Sequence, residues 1–268
     1  MSRWLKAYLV FAAIFLLAPL VLVVMVALSS SRFVVFPPPG FSLQWFARVL
    51  QDPSFMRPLW NSIQLGILSA GIAALLAVPA ALALVRRRPP GAEAIQTFLL
   101  SPLALPSLVL AIALLFFLSG VGLGNTYTGL LIGHVVIVLP YLLRTVLAVY
   151  SGSDPRLEEA AHTLGANPWR AFWHVTLPAI RPGLFAGAMF AFLISFDEVA
   201  VALMLSNASN MTLPVSILGY LVNNYDPAVA AISVIKMTIV IVVLLTVEKF
   251  YGLGSLTLPH RSEAKSHG

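Results

Sequence analysis

Long apolar runs, separated by short polar or Pro/Gly-rich breaks, dominate the chain. A helix needs about 20 mostly apolar residues to cross a membrane. Runs of that length predict membrane-spanning helices over about 7–29, 61–85, 98–119, 127–149, 181–205 and 228–248. The first run is longer than the roughly 7–15 apolar residues of a signal peptide, and it is therefore interpreted as an uncleaved helix. The pattern predicts an all-α integral membrane protein with six transmembrane helices in a single domain, 1–268.

The composition agrees with a membrane protein. Hydrophobic residues make up 59% of the chain and charged residues 10%, whereas a soluble domain has about 25% charged residues. These numbers disfavour a soluble globular enzyme and exclude a disordered chain. The chain has no cysteine, which excludes disulfides, thiolate catalysis and cysteine-based metal sites.

The positions of Lys and Arg predict the orientation, because basic residues gather in cytoplasmic connections. One side has only Arg32, Arg48 and Arg57, all in the first long connection, where Ser42 to Leu50 is predicted as a short interfacial helix. The other side, which includes both termini, carries Arg3, Lys6, Arg86, Arg87, Arg88, Arg144, Arg156, Arg170, Arg181, Lys249, Arg261 and Lys265. Both termini are therefore predicted to be cytoplasmic.

The cytoplasmic connection 150–180 has the pattern of a helix, a glycine turn and a second helix. Asp154 and Pro155 suit the start of the first helix, Gly165 suits its end, and Asn167 with Pro168 suits the start of the next. An apolar stripe runs along the first helix through Leu157, Ala160, Ala161 and Leu164. The segment could lie on lipid headgroups or dock a protein. Its alanines are too small to anchor in lipid, which favours docking.

The same segment resembles the EAA loop of the membrane subunits of binding-protein-dependent ABC importers. Glu159-Ala160-Ala161 is followed by Gly165 and then by Val175-Thr176-Leu177-Pro178 at the family's spacing, although the family has Ile where Val175 stands. The resemblance implies the permease architecture of a type I ABC importer in the bacterial inner membrane. It also implies a coupling helix that docks on the ATPase through Glu158, Glu159, Ala160, Ala161, Leu164, Gly165, Asn167 and Pro168.

The implied partners are a cytoplasmic ABC ATPase dimer, a second permease subunit, identical or related, an extracytoplasmic solute-binding protein and membrane lipid, without nucleic acid. The chain has no P-loop motif, so ATP would be used by the partner and not by this chain. We assign no catalytic, cofactor-binding or metal-binding residue. An intramembrane enzyme is disfavoured because neither G-x-S-x-G nor H-E-x-x-H occurs.

Asp197, Glu198 and Lys236 are charged residues that fall deep inside predicted spans, away from the span ends. A charge at mid-membrane costs about 2.5–3.5 kcal/mol on insertion scales, so these groups need a reason to be there. Asp197 and Lys236 each lie eight or nine residues from the same end of their spans, a shared depth of roughly 12–14 Å. They could form a buried ion pair, or the carboxylates could line a cation pathway, one facing the pathway and the other pairing with Lys236.

A second, less specific resemblance concerns the substrate. Ser195-Phe196-Asp197-Glu198 and the stretch from Thr212 to Pro227 resemble the spermidine/putrescine subclass of these permeases. This resemblance implies a polyamine or a similar small organic cation. Iron, sulfate, phosphonate or opine importers share much of the architecture and stay open as alternatives. The charged residues would also suit an ion-driven secondary transporter, although an EAA loop would not.

Two glycine pairs and one histidine complete the candidates. Gly129 with Gly133, and Gly183 with Gly187, let helices approach closely, either within the chain or at a subunit interface. His134 is interpreted as a core histidine and not as a ligand.

Overall fold

The computed structural model describes residues 2–251; Arg261 and Lys265, used in the prediction of orientation, lie outside them. Apart from one isolated bridge between Ser29 and Phe41, the regular elements of this range are helical. The helices are α1 (Arg3–Ala27), α2 (Gln44–Gln51), α3 (Pro53–Leu82), α4 (Ala92–Leu100), α5 (Ser107–Gly120), α6 (Tyr127–Ser151), α7 (Arg156–Thr163), α8 (Pro168–Ala171), α9 (Leu177–Asp197), α10 (Ala200–Leu205), α11 (Leu213–Asn223) and α12 (Ala228–Tyr251).

Five helices in the described range are long and apolar enough to cross a membrane, and a bent pair makes a sixth candidate. The all-α membrane fold predicted from the apolar runs is therefore confirmed. The third predicted span is not one straight helix, because α4 and α5 meet at an angle of 109°. Pro102 and Pro106 stand at the bend, where each lacks the N–H that a continuous helix needs.

The core of the bundle is formed by α3, α6 and α9, which pack against one another. Glycines on α9 make this packing close. A Cβ at Gly183 would lie 2.9 Å from the carbonyl oxygen of Thr145, and one at Gly187 would lie 3.2 Å from the Cα of Leu142. The pair Gly183 and Gly187 therefore serves close packing within the chain, which is one of the two interpretations of the glycine pairs.

The fifth predicted span, 181–205, is interrupted near its end. α9 ends at Asp197, Glu198 has an extended backbone with ψ of 121°, and α10 begins at Ala200. In a continuous helix, the side chains of residues 197 and 198 would point about 100° apart. Because the helix is interrupted here, this relation does not apply to them.

The elements at the end of the bundle opposite α7 differ in part from the prediction. The short helix predicted from Ser42 to Leu50 is present as α2, and its Trp45 is buried. The region 206–227, interpreted as a loop, contains α11. Within the described range, α1 packs against α12 and leaves most of its apolar surface exposed, as expected for a surface covered by lipid.

Candidate functional site

The predicted helix–turn–helix projects from the end of α6 and returns to α9. Asp154 Oδ1 accepts a hydrogen bond of 2.9 Å from the backbone N–H of Arg156, which begins α7. Asn167 Oδ1 accepts one of 2.8 Å from the N–H of Arg170 and so caps α8. The polar residues that the sequence placed at the two helix starts therefore satisfy backbone donors there.

Gly165 makes the turn between α7 and α8. Its φ is +85°, a left-handed conformation that glycine adopts without steric cost. The N–H of Ala166 donates to the carbonyl oxygen of Ala161 at 3.0 Å, and the N–H of Gly165 donates to that of His162 at 2.9 Å. These are the two hydrogen bonds of a Schellman helix end. Apart from Gly165 itself and its two chain neighbours, no described residue has an atom within 4 Å of the place where a Cβ of residue 165 would be, so the turn faces open space.

Most residues predicted to dock the ATPase form one exposed surface. Leu164 is 88% exposed, Ala161 is half-buried, and the rest of the surface is exposed at Glu159, Ala160, Gly165, Asn167 and Pro168. Leu164 and the exposed residues around it therefore leave a surface that no described part of the chain covers.

Glu158 differs from the other predicted docking residues because it faces the bundle. Its carboxylate is 3.3 Å from Arg86 Nε and accepts hydrogen bonds from Tyr150 Oη at 3.0 Å and Thr176 Oγ1 at 2.8 Å. The Arg86 guanidinium also donates to Ser153 Oγ at 2.9 Å and lies 4.5 Å from the Tyr150 ring centroid. We call Arg86, Tyr150, Glu158 and Thr176 the Glu158 clasp. The clasp attaches α7 to the ends of α3, α6 and α9.

Two π-helical turns supply residues of the clasp. Arg86 lies in the turn Ala83–Arg87, which follows α3, and Thr176 ends the turn Phe172–Thr176, which precedes α9. Such turns widen a helix locally and are frequent at functional sites. Here they bring side chains from two different spans to the same carboxylate of the loop.

Of the three charged residues predicted to lie inside spans, two form an ion pair. Lys236 on α12 forms an ion pair with Asp197, and its ammonium lies 6.0 Å from the Phe196 ring centroid. The side chain of Lys236 is 20% exposed, whereas that of Asp197 is 70% exposed. Asp197, the more exposed of the two carboxylates, is therefore the one that pairs with Lys236, and which carboxylate faces a pathway stays a prediction.

Glu198 instead closes the helix break. Its Oε1 accepts hydrogen bonds from the N–H groups of Ala200 at 2.8 Å and Val201 at 3.2 Å, the first donors of α10. A carboxylate at this position also lies near the positive end of the α10 dipole. The capping of α10 therefore accounts for this half-buried charge without a substrate.

A buried polar network lies directly beside the break. Ser195 Oγ, on α9, is 2.8 Å from His134 Nδ1 on α6 and accepts a hydrogen bond of 3.0 Å from Ser69 Oγ on α3. His134 is fully buried, and its Nε2 has no hydrogen-bond partner within residues 2–251. The network joins the three core helices two residues before Asp197.

Sequence reasoning missed the clasp partners and this network. The sequence indicates Arg86 only as a marker of orientation, and it is 72 residues away from Glu158 along the chain. The arginine run at 86–88 and the tyrosine at the end of a predicted span carry no local pattern that points to Glu158. Within residues 2–251, no group of three or more His, Asp or Glu residues is placed to hold a metal ion.

The helical bundle with an exposed loop at one end is the architecture of a multi-pass transport permease. Residues 73–250 match the family described as the inner membrane component of binding-protein-dependent transport systems, and the chain belongs to that family. The resemblance drawn from the EAA loop is thereby confirmed, together with a place in the inner membrane.

Three similar proteins indicate the range of the family. The chain is 30% identical to the spermidine/putrescine permease PotC of Haemophilus influenzae, over 75% of this chain and 78% of that one. It is 29% identical to the putrescine permease PotI of Escherichia coli (strain K12), over 87% and 85%. It is also 30% identical to the molybdate/tungstate permease WtpB of Thermococcus kodakarensis, over 72% and 76%.

Solved structures support the fold. A bacterial ABC transporter for the acidic polysaccharide alginate contains a chain that aligns over 94% of this one and 99% of its own length, with a TM-score of 0.74 and 22% identity. A chain of an amino acid ABC transporter aligns over 79% of this chain and 99% of its own length, with a TM-score of 0.59 and 18% identity. At these identities the likeness concerns the fold alone.

Proposed function

We propose that this chain is the permease subunit of an ATP-driven ABC importer and that it couples to a cytoplasmic ATPase dimer through α7 and the Gly165 turn. The observation that carries the proposal is the exposed surface of α7, in which Leu164 is 88% exposed beside a glycine turn that faces open space. The Glu158 clasp gives this surface a firm connection to three spans. A push on α7 would therefore move the bundle.

The remaining assembly follows from this role. Both termini and α7 would lie in the cytoplasm, in agreement with the excess of basic residues on that side. A second permease subunit would complete the solute pathway, and an extracytoplasmic binding protein would deliver the solute. ATP would be hydrolysed by the partner, with this chain contributing no catalytic residue.

The proposed substrate is a polyamine or a similar small organic cation. Relatives alone leave this open, because the polyamine and the molybdate/tungstate permeases are about equally identical to the chain. The exposed Asp197 carboxylate favours a cation, since it would repel an oxyanion of like charge. Lys236 would hold Asp197 until an ammonium group of the substrate competes for it.

Coupling is tested by copurification and uptake with the partner ATPase. Gly165→Asp should insert normally into the membrane but lose ATPase copurification and ATP-driven uptake, because it adds a charge and a side chain at the contact. Gly165→Asn is the matched control for backbone strain, since asparagine tolerates the left-handed conformation better than most residues. Normal uptake by Gly165→Asp together with Glu159→Lys would contradict docking at this turn.

The substrate is tested in vesicles reconstituted with the complete importer and its binding protein. Spermidine and putrescine should be taken up in an ATP-dependent manner, and molybdate and sulfate should not. Uptake of an oxyanion by the wild-type importer would contradict the polyamine assignment while leaving the permease assignment in place.

A further inference from the structure

Two adjoining cavities open at the end of the bundle opposite α7. The first is an apolar groove of about 690 Å³ between α1 and α12, where Leu22, Val23 and Val26 face Val229 and Ala230. Phe33 and Val34 close its end. The second cavity, of about 480 Å³, is polar and has arginines in its wall. The two cavities share Phe33 and Asp226 as common lining residues.

The segment that separates the cavities is held in place. The N–H of Ser30 donates to the carbonyl oxygen of Gly40 at 2.9 Å, and that of Ser42 donates to Leu28 at 2.7 Å, which closes a hairpin over residues 29–41. Trp45 Nε1, from α2, donates to the carbonyl oxygen of Ser31 at 3.1 Å. Arg32 and Phe33, which follow Ser31, are therefore fixed at the boundary between the groove and the polar cavity.

The polar cavity contains two cationic groups with spare hydrogen-bonding capacity. Arg32 is exposed, and its side chain makes no hydrogen bond or ion pair within residues 2–251. Arg48 lies 3.4 Å from Asp226, and its side chain is 57% exposed. Asp226 also accepts hydrogen bonds from Tyr220 Oη at 2.9 Å and from the N–H of Ala228 at 3.1 Å.

Asp226 therefore keeps partners if Arg48 turns toward a ligand. Burial, together with the hydrogen bond to Asp226, raises the pKa of Tyr220 to about 12. The phenol consequently stays protonated, and remains a donor to Asp226, at any physiological pH.

We propose that these cavities form a phospholipid site in which one acyl chain fills the groove and the phosphate binds between Arg32 and Arg48. An arginine fork donates two hydrogen bonds to a phosphate and is the side chain best suited to this contact. The groove offers the apolar wall that an acyl chain needs, and the arginines stand where that chain would join its headgroup.

The position of the groove favours a lipid over a soluble partner. Its walls belong to α1 and α12, which are both candidate spans. Leu22 lies five residues before the end of α1 at Ala27, which is about 7.5 Å along the helix. The groove thus continues the exposed apolar surface of α1, and a protein in the aqueous phase would have to displace any lipid on that surface to enter it.

Native mass spectrometry of the purified full chain, with any copurifying subunits, tests the proposal. The probe is palmitoyl-oleoyl phosphatidylglycerol, added to protein stripped of lipid. We expect Arg32→Gln to lower the affinity for the first bound lipid about tenfold, the effect of losing about 1.4 kcal/mol of binding. Val34→Asp, which places a charge in the groove, should lower it as well. Arg57→Gln is the matched control, because Arg57 is exposed at the same end but lines neither cavity.

The other outcomes separate lipid from its alternatives. Competition by inorganic phosphate at equal concentration would show that the headgroup alone binds and would overturn a site built for a whole lipid. Equal lipid binding by Arg32→Gln and Arg57→Gln would overturn it too.

A single Val34→Cys in this cysteine-free chain gives an independent test. A spin label attached to this cysteine should be accessible to oxygen, which dissolves in the lipid phase. Accessibility to a water-soluble nickel chelate, or burial under another protein, would contradict the proposal.

Discussion

Glu158 and Asp197 each pair with a cation from a distant part of the chain, and their surroundings differ sharply. Glu158 accepts hydrogen bonds from Tyr150 and Thr176 in addition to pairing with Arg86, and its side chain is 20% exposed. Asp197 pairs with Lys236, and its side chain is 70% exposed. The first carboxylate is enclosed by donors from three directions, whereas the second presents most of its surface to whatever lies beside the bundle.

The difference indicates what each pair can do. A half-buried carboxylate whose acceptor sites are occupied cannot exchange partners without leaving polar groups unsatisfied, so the Glu158 clasp suits a fixed mechanical link. An exposed carboxylate loses little when a competing cation replaces its partner. The Asp197–Lys236 pair therefore suits exchange with a passing substrate.

The largest expected effect is that of breaking the clasp. Glu158→Gln leaves Arg86 half-buried without its counter-ion, and we expect it to lower the free energy of unfolding by about 3 kcal/mol. ATP-driven uptake should be lost with it, because α7 is no longer fixed to the bundle. Unfolding followed by circular dichroism in detergent measures the stability. Glu159→Gln, at an exposed neighbour, should unfold like the wild type; equal stability of the two variants would contradict the clasp.

The next effect separates transport from stability. Asp197→Asn should lower polyamine uptake about tenfold, a loss equivalent to about 1.4 kcal/mol. It should change the free energy of unfolding by less than about 1 kcal/mol, because the pair is exposed on the Asp197 side. Adding Lys236→Met should recover the stability but not the uptake. Wild-type uptake by Asp197→Asn would remove the carboxylate from the pathway.

A smaller effect tests one contact within the clasp. Tyr150→Phe removes a hydrogen bond to Glu158 but keeps the aromatic ring beside Arg86, so we expect a loss of about 1.5 kcal/mol in stability. Tyr141→Phe, on the same helix, is the control and should be neutral. A Tyr150→Phe variant as stable as the wild type would indicate that Arg86 and Thr176 suffice for the clasp.

Much of the fold was predictable because a membrane span leaves a long apolar run in the sequence. The turn in α7–α8 was predictable for a similar reason: Asp154, Gly165 and Asn167 act on backbone within a few residues of themselves. Hydrogen bonds and backbone conformations that involve residues close together in the chain can be predicted from a short stretch of sequence.

The roles of the charged residues were not predictable in the same way. Glu158 stands beside Glu159 in the chain, yet one faces the bundle and the other faces solvent. That choice depends on Arg86 and Thr176, whose positions follow from π-helical turns in distant helices. Likewise, the sequence shows Asp197 and Glu198 as a charged pair inside one helix, and gives no sign that the helix ends between them.

The smallest expected effect concerns Glu198, which stands next to Asp197 in the chain but belongs with Glu158 among the fixed carboxylates. If its role is to cap α10, the charge is dispensable and only the acceptor oxygen matters. Glu198→Gln keeps an oxygen that can accept from the N–H groups of Ala200 and Val201, and it should transport and unfold like the wild type. Glu198→Ala removes the cap and should cost about 1 kcal/mol of stability. If Glu198 instead serves the pathway, its charge is needed for transport, and Glu198→Gln should lose uptake as Asp197→Asn does. Measuring uptake and unfolding for the three variants side by side therefore decides whether one carboxylate or two serve the substrate.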